Sequence, residues 1–392
     1  VKNETAKVIT EKSVAPGMPT VEKKVYEDNN SKYDNEHNYW SETASHDIGD
    51  DVEFWIRVQV SGNYDGYKTY YIAVEDLMDP GFTFNKNSLK DTVGNVNGPD
   101  ITRFFTVNDF TKDGKAGFKA SADLKTVQYK NSEADQDYLK IDHNTDIIFH
   151  YTAKLNENAV VGTEGNKNTA KLIYQNNPYV EITDEPTDNV GETPVDTNIV
   201  YTFKVIVNKK DVAGNALTGA GFTLYKYNDQ NHKYEPVGNE LKGENLTPFE
   251  FKGLDEGIYL LEETTVPVGY NKADDIEFHI HAEYDACDPA CIVGLKAVDA
   301  SSTSVVLGET TAACKNQTNI VEENLDTQAE HVFTVTLDAN QADLETTIVN
   351  RTGQELPSTG GMGTTVIYIA GGILVLAAVV LLITKKRMAS EQ

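Results

Sequence analysis

Short runs in which apolar and polar residues alternate recur along this chain, as in Val52–Val60 (VEFWIRVQV) and Tyr201–Val207 (YTFKVIV). A period of two sends successive side chains to opposite faces of a pleated strand, whereas a helix needs a period near 3.6. Turn residues separate the runs, and no long amphipathic helical pattern stands before residue 364. The chain is therefore expected to be all-β up to that point, with strands buried on one face and packed as antiparallel sandwiches. An apolar share of 39% with 20 Tyr and only 12 Pro fits packed cores rather than disorder.

The 392 residues allow two or three domains. An Asp-, Glu-, Thr- and Pro-rich stretch at 182–198 (ITDEPTDNVGETPVDTN) marks a junction. The expected division is a first sandwich over 17–184, a linker over 185–197 and a second sandwich over 198–355. Residues 1–16 read as a leader strand or the remnant of a missing N-terminal domain.

A formal net charge of −27 argues against nucleic acid as a partner, because phosphate binding needs clustered cations. The three cysteines, Cys287, Cys291 and Cys314, suit one disulfide and one leftover thiol. The eight His are scattered, and no metal site or cofactor is expected. No Ser/His/Asp set or phosphate loop stands out, so the chain is not expected to be an enzyme.

Residues 364–384 (TTVIYIAGGILVLAAVVLLIT) carry no charge and are long enough to cross a bilayer core of roughly 30 Å as a transmembrane helix. Lys385, Lys386 and Arg387 follow at once, the cytoplasmic flank of a stop-transfer segment. Everything before Thr364 is then expected outside the cell.

Just ahead stand Leu356, Pro357, Ser358, Thr359 and Gly360. This LPxTG pentapeptide, with its apolar span and basic tail over 356–392, resembles the sorting signal of Gram-positive surface proteins. The resemblance implies that a sortase cleaves between Thr359 and Gly360. The acyl group then passes to an amine of the peptidoglycan cross-bridge or to a lysine of another subunit, so the membrane helix is a temporary anchor.

Residues 257–270 (GIYLLEETTVPVGY) resemble the E-box of Gram-positive pilins and Cna B-type domains, with Val266 in place of the usual Ala. The strand pair at 207–225 and the closing run 346–350 (TTIVN) extend the likeness, which implies immunoglobulin-like (Cna B-type) sandwiches in tandem. In such domains a first-strand lysine joins a last-strand asparagine beside the E-box glutamate, which implies Lys209, Asn350 and Glu263 here. Alternation puts Phe203, Val205, Val207 and Lys209 on one face, and likewise Tyr259, Leu261 and Glu263, and Ile348 and Asn350. Lys210 is the alternative, but it turns outward. Burial drives a lysine towards its neutral amine and a carboxyl towards its acid. Lys209 can then attack the Asn350 amide while Glu263 polarises the carbonyl and shuttles protons as ammonia leaves.

The runs 19–25 (PTVEKKV), 71–84 (YIAVEDLMDPGFTF) and 168–178 (NTAKLIYQNNP) make the first sandwich resemble the middle domain of SpaA-type backbone pilins. The assignment there is Lys23 with Asn168, Asp76 serving as the acid, with Lys24, Glu75 and Asn176 as near misses. It supposes that the first and last strands lie side by side. The polymerising lysine of such pilins precedes the middle domain; Lys2 is the candidate here and Lys12 the second.

The resemblance thus implies a sortase-assembled pilus subunit, expected to be the backbone, secreted and anchored to the cell wall. Isopeptide bonds would give it mechanical and proteolytic stability. Its partners would be pilus-type and housekeeping sortases, further copies of itself, ancillary pilins and the peptidoglycan. The alternative is an anchored adhesin or ancillary pilin that binds host extracellular matrix.

Overall fold

The computed structural model describes residues 17–28, 39–132, 134–243, 248–285, 291–299, 333–338 and 340–353. The sorting pentapeptide, the apolar span, Lys2, Lys12, Cys287 and Cys314 lie outside the described residues. Among the described residues the chain is all-β, with three short 3-10 turns and no α-helix.

The first unit uses nine principal strands. They are β1 (Thr20–Glu27), β2 (Thr43–Ser45), β3 (Asp51–Gln59), β4 (Tyr71–Met78), β5 (Phe82–Val93), β6 (Lys115–Asp123), β7 (Asp146–Leu155), β8 (Asn166–Gln175) and β9 (Asp196–Tyr201). One sheet runs from the short strand Tyr39–Ser41 through β1, β3 and β7 to β5. The facing sheet runs β2, β9, β8, β4, β6 and then Thr106–Lys112. Alternation fills the space between them: Val52, Phe54, Ile56 and Val58 are buried from one side, Ile72, Val74 and Leu172 from the other. Burying each such side chain contributes about 1.5–3 kcal/mol. Aromatic rings meet at the centre, where Tyr151 stacks on Phe54 at 5.6 Å and sets its edge to Phe118 at 5.1 Å.

The second unit is built from β10 (Phe203–Asp211), β11 (Gly221–Asn228), β12 (Phe249–Leu254), β13 (Gly257–Thr265), β14 (Ile276–Asp285), β15 (Cys291–Asp299), β16 (Phe333–Asp338) and β17 (Gln341–Asn350). Its sheets are ordered β12-β10-β17-β16 and, from the short strand Lys233–Pro236, β11-β13-β14-β15. They enclose a separate core around Phe203, Phe222, Tyr259, Phe278 and Leu344.

Two expectations meet corrections. The stretch 185–197 is not simply an exposed linker: Val190–Glu192 pairs with β8, and β9, which begins at Asp196, lies between β8 and β2. Such short polar pairings carry little apolar signal, so their composition resembles that of a loop. Nor are β1 and β8 neighbours in one sheet. They belong to facing sheets and meet across the core.

Candidate functional site

In the second unit β10 and β17 run parallel as hydrogen-bonded neighbours, with Lys209 opposite Ile348 and Asp211 opposite Asn350. Lys209 ends the inward row Phe203, Val205 and Val207, and all four are fully buried. Its Nζ donates to Asn350 Oδ1 at 2.5 Å and to the Ile348 carbonyl at 3.1 Å. From the facing sheet, Glu263 on β13 takes both its oxygens to Asn350 Nδ2, at 2.8 and 3.0 Å. Its Oε1 lies 3.8 Å from Lys209 Nζ, and the Ala273 amide donates to Oε2 at 2.8 Å. Glu263 thus stands beside the amide nitrogen, while Lys209 occupies the carbonyl side where sequence reasoning put the acid.

Burial lowers the Lys209 amine to about 8, against the opposing pull of Glu263. About a tenth of such amines are neutral at pH 7, against fewer than one in a thousand for an ordinary lysine. A neutral amine, a carboxyl and a primary amide held together in a dry core can carry one transamidation. In such a step the Lys209 Nζ–Asn350 Cγ bond would form, the Asn350 Cγ–Nδ2 bond would break, and the amine's proton would leave with the amide nitrogen as ammonia.

In the first unit Lys23, Asp76 and Asn168 are all fully buried. Lys23 Nζ lies 2.6 Å from Asp76 Oδ2 and donates to the Tyr151 hydroxyl. It sits over the Phe54 ring at 4.9 Å. Asn168 approaches the pair through that same hydroxyl, its Nδ2 donating to Tyr151 Oη at 2.9 Å, and the Tyr151 hydroxyl donates to Asp76 Oδ2 at 2.9 Å. Burial lowers the Lys23 amine despite the attraction of Asp76, and it raises the Asp76 carboxyl despite Lys23. Both directions favour the neutral pair. Asp76 Oδ1 and Asn168 Oδ1 are buried acceptors without a hydrogen-bond partner. An unmet buried acceptor costs about 1–3 kcal/mol. A proton on Asp76 Oδ1 would turn that oxygen from an unmet acceptor into a donor.

Tyr151 was missed from sequence. It continues the inward row Ile147, Phe149 on β7, where a tyrosine reads as one more aromatic. Its hydroxyl is the only polar tip in that row, and that was the available signal. The near misses sit elsewhere: Lys24 pairs with Glu42, and Glu75 lies 3.3 Å from Lys119 and 3.2 Å from Lys171. Lys210 is half-buried, on the other side of its strand. Cys291 opens β15 and is in a disulfide.

We expect Tyr151→Phe to slow any bond between Lys23 and Asn168, because the variant loses the hydroxyl that joins amine, acid and amide. Intact mass followed over time after purification checks this; a deficit as complete and as early as in the native chain would assign Tyr151 to packing alone.

Residues 203–287 match the prealbumin-like fold domain called SpaA, and residues 349–390 match the LPXTG cell wall anchor motif. Over 353 residues the chain is 26% identical to the trypsin-resistant surface T6 protein of Streptococcus pyogenes serotype M6. The alignment takes in 82% of this chain and spans 61% of that relative. The solved T6 backbone pilin of serotype M6 superimposes with a TM-score of 0.50 at 18% identity, covering 86% of this chain and 70% of that one. This last likeness speaks for the fold.

Proposed function

We propose, taking as premise that this chain is a Gram-positive, cell-wall-anchored pilin with a SpaA domain and an LPXTG anchor, that it is the backbone subunit of a sortase-assembled pilus. The observation that carries the proposal is the anchor motif joined directly to a pilin domain whose last strand runs into it. A pilus-type sortase cleaves between Thr359 and Gly360 and passes the threonyl group to a lysine of the next copy, with Lys2 as our candidate. The housekeeping sortase passes the last copy to the peptidoglycan cross-bridge. Ancillary pilins and host matrix are further partners in this reading.

Each unit locks itself once, Lys209 to Asn350 beside Glu263 and Lys23 to Asn168 beside Asp76. The support is the burial and geometry of both sets. In this reading the chain turns over no substrate.

An immunoblot of wall extracts boiled in SDS and reductant tests the assembly. A ladder of covalent multimers is the expected result. A single band near the monomer would favour an anchored adhesin or ancillary pilin.

A further inference from the structure

A third buried polar cluster lies where the two units meet, and the cross-linking chemistry uses none of it. Ser45, at the end of β2, donates through its amide to Glu27 Oε2 at 2.8 Å and through its hydroxyl to Asp255 Oδ1 at 2.5 Å. The Asp255 amide donates to Asp47 Oδ1 at 2.8 Å, and the Ile48 amide to the Gly253 carbonyl at 2.9 Å. Lys226 on β11 reaches both sides, at 2.6 Å from Asp47 and 3.1 Å from Asp255. Approach is close enough that a Cβ on Gly253, whose φ is +76°, would come within 2.7 Å of Ile48.

The charge balance there is lopsided. From the first unit come Glu27 and Asp28 at the end of β1, and Asp47 and Asp50 beyond β2; from the second come Asp255 and Glu256 in the turn before β13. Opposite them stand Lys226, His46 with Nδ1 3.5 Å from Asp28, and His281 on β14 with Nδ1 3.1 Å from Glu256. Glu256 is further held by the Ala282 amide at 2.6 Å and the Tyr284 hydroxyl at 3.2 Å, and Tyr259 gives its hydroxyl to the Asp255 carbonyl at 2.8 Å. Among the described residues Glu27 has no cation beside it, and its Oε1 is buried without a hydrogen-bond partner.

We propose that protons hold this joint shut: with Glu27 and Asp255 uncharged the two units dock as one body, and ionisation of the pair loosens the contact. Burial raises Asp255 to about 7, even with Lys226 beside it, and raises Glu27 well above the carboxylate range, with Asp255 and Glu256 adding to the effect. Asp50 is raised as well, by burial and then by Asp47. Undocked and wet, these carboxyls return to about 4. The docked state therefore binds protons more tightly. Through Asp255, docking is strongest below about pH 4 and weakens as pH climbs towards about 7, and Glu27 acts in the same direction. The interval from about 4 to about 7 corresponds to a factor of about a thousand in the docking equilibrium from Asp255 alone. This inference does not depend on the role proposed for the chain.

Amide hydrogen exchange on the full chain, corrected for intrinsic rates, tests it at pH 5 and pH 8. Protection of the Ile48 and Asp255 amides should fall roughly tenfold or more between the two, while Leu172 in the first core keeps its own. In the double variant Glu27→Gln, Asp255→Asn most of that fall should be lost, leaving only the smaller dependence that Asp50 contributes. Equal protection at both pH values in the native chain overturns the proposal without any variant. A fall of the native size in a folded double variant overturns it too, by placing the titration elsewhere.

Discussion

With its disulfide reduced, the purified chain should weigh less than its sequence by two molecules of ammonia. Each lysine–asparagine condensation expels one, and nothing else in the reaction leaves or enters. Glu263→Ala should restore one of the two, since it removes the carboxyl that grips Asn350 Nδ2 through both oxygens. Asp76→Ala should restore the other, because it removes the partner at 2.6 Å that holds Lys23 in place. The double variant should match its sequence. Proteolytic digests should yield branched peptides joining the Lys209 and Asn350 segments and the Lys23 and Asn168 segments. An intact mass with no deficit would refute both bonds, and a deficit untouched by either variant would refute the assignment of the acids.

The Glu263→Ala chain should also melt in two well-separated steps, with the second unit's transition falling far below its native value. The bond between Lys209 and Asn350 closes a loop of 141 residues. In the chain-entropy description of cross-links, such a closure contributes about 5 kcal/mol by restricting the unfolded state. For a unit of this size each kcal/mol corresponds to about 2–4 °C, so the expected drop is roughly 10–20 °C. The first unit, with its own core, should melt as before. Differential scanning calorimetry separates the two; a second-unit transition unmoved by the substitution would mean that no covalent loop spans that unit.

How much of this was legible in the sequence follows from what a period of two can say. Alternation gives the face of a strand, and the faces inferred for Lys209, Glu263 and Asn350 agree with their burial at 0, 2 and 1% exposure. It does not give the partner strand. Alternation fits β1 and β8 as neighbours just as well as it fits their actual places in facing sheets. The difference has a chemical result: Lys23 and Asn168 face each other across the core and both bond to the Tyr151 hydroxyl between them. The stretch 185–197 was misread for another reason. Strand pairing along β8 satisfies its backbone, and backbone pairing leaves no mark on composition. The proton-holding joint was invisible because its contacts are entirely tertiary, Ser45 and Asp255 standing 210 residues apart.

The parallel pairing of β10 with β17 has a consequence for how the molecule carries tension. With Lys209 bonded to Asn350, a pull on the C-terminal segment enters at Asn350, crosses the side-chain amide and leaves along β10. Residues 210–349 hang on this chord as a side loop outside the load path. The unit then lengthens under load no more than two adjacent strand ends allow. Sequence within that loop can change in length or composition without changing the extension of the whole.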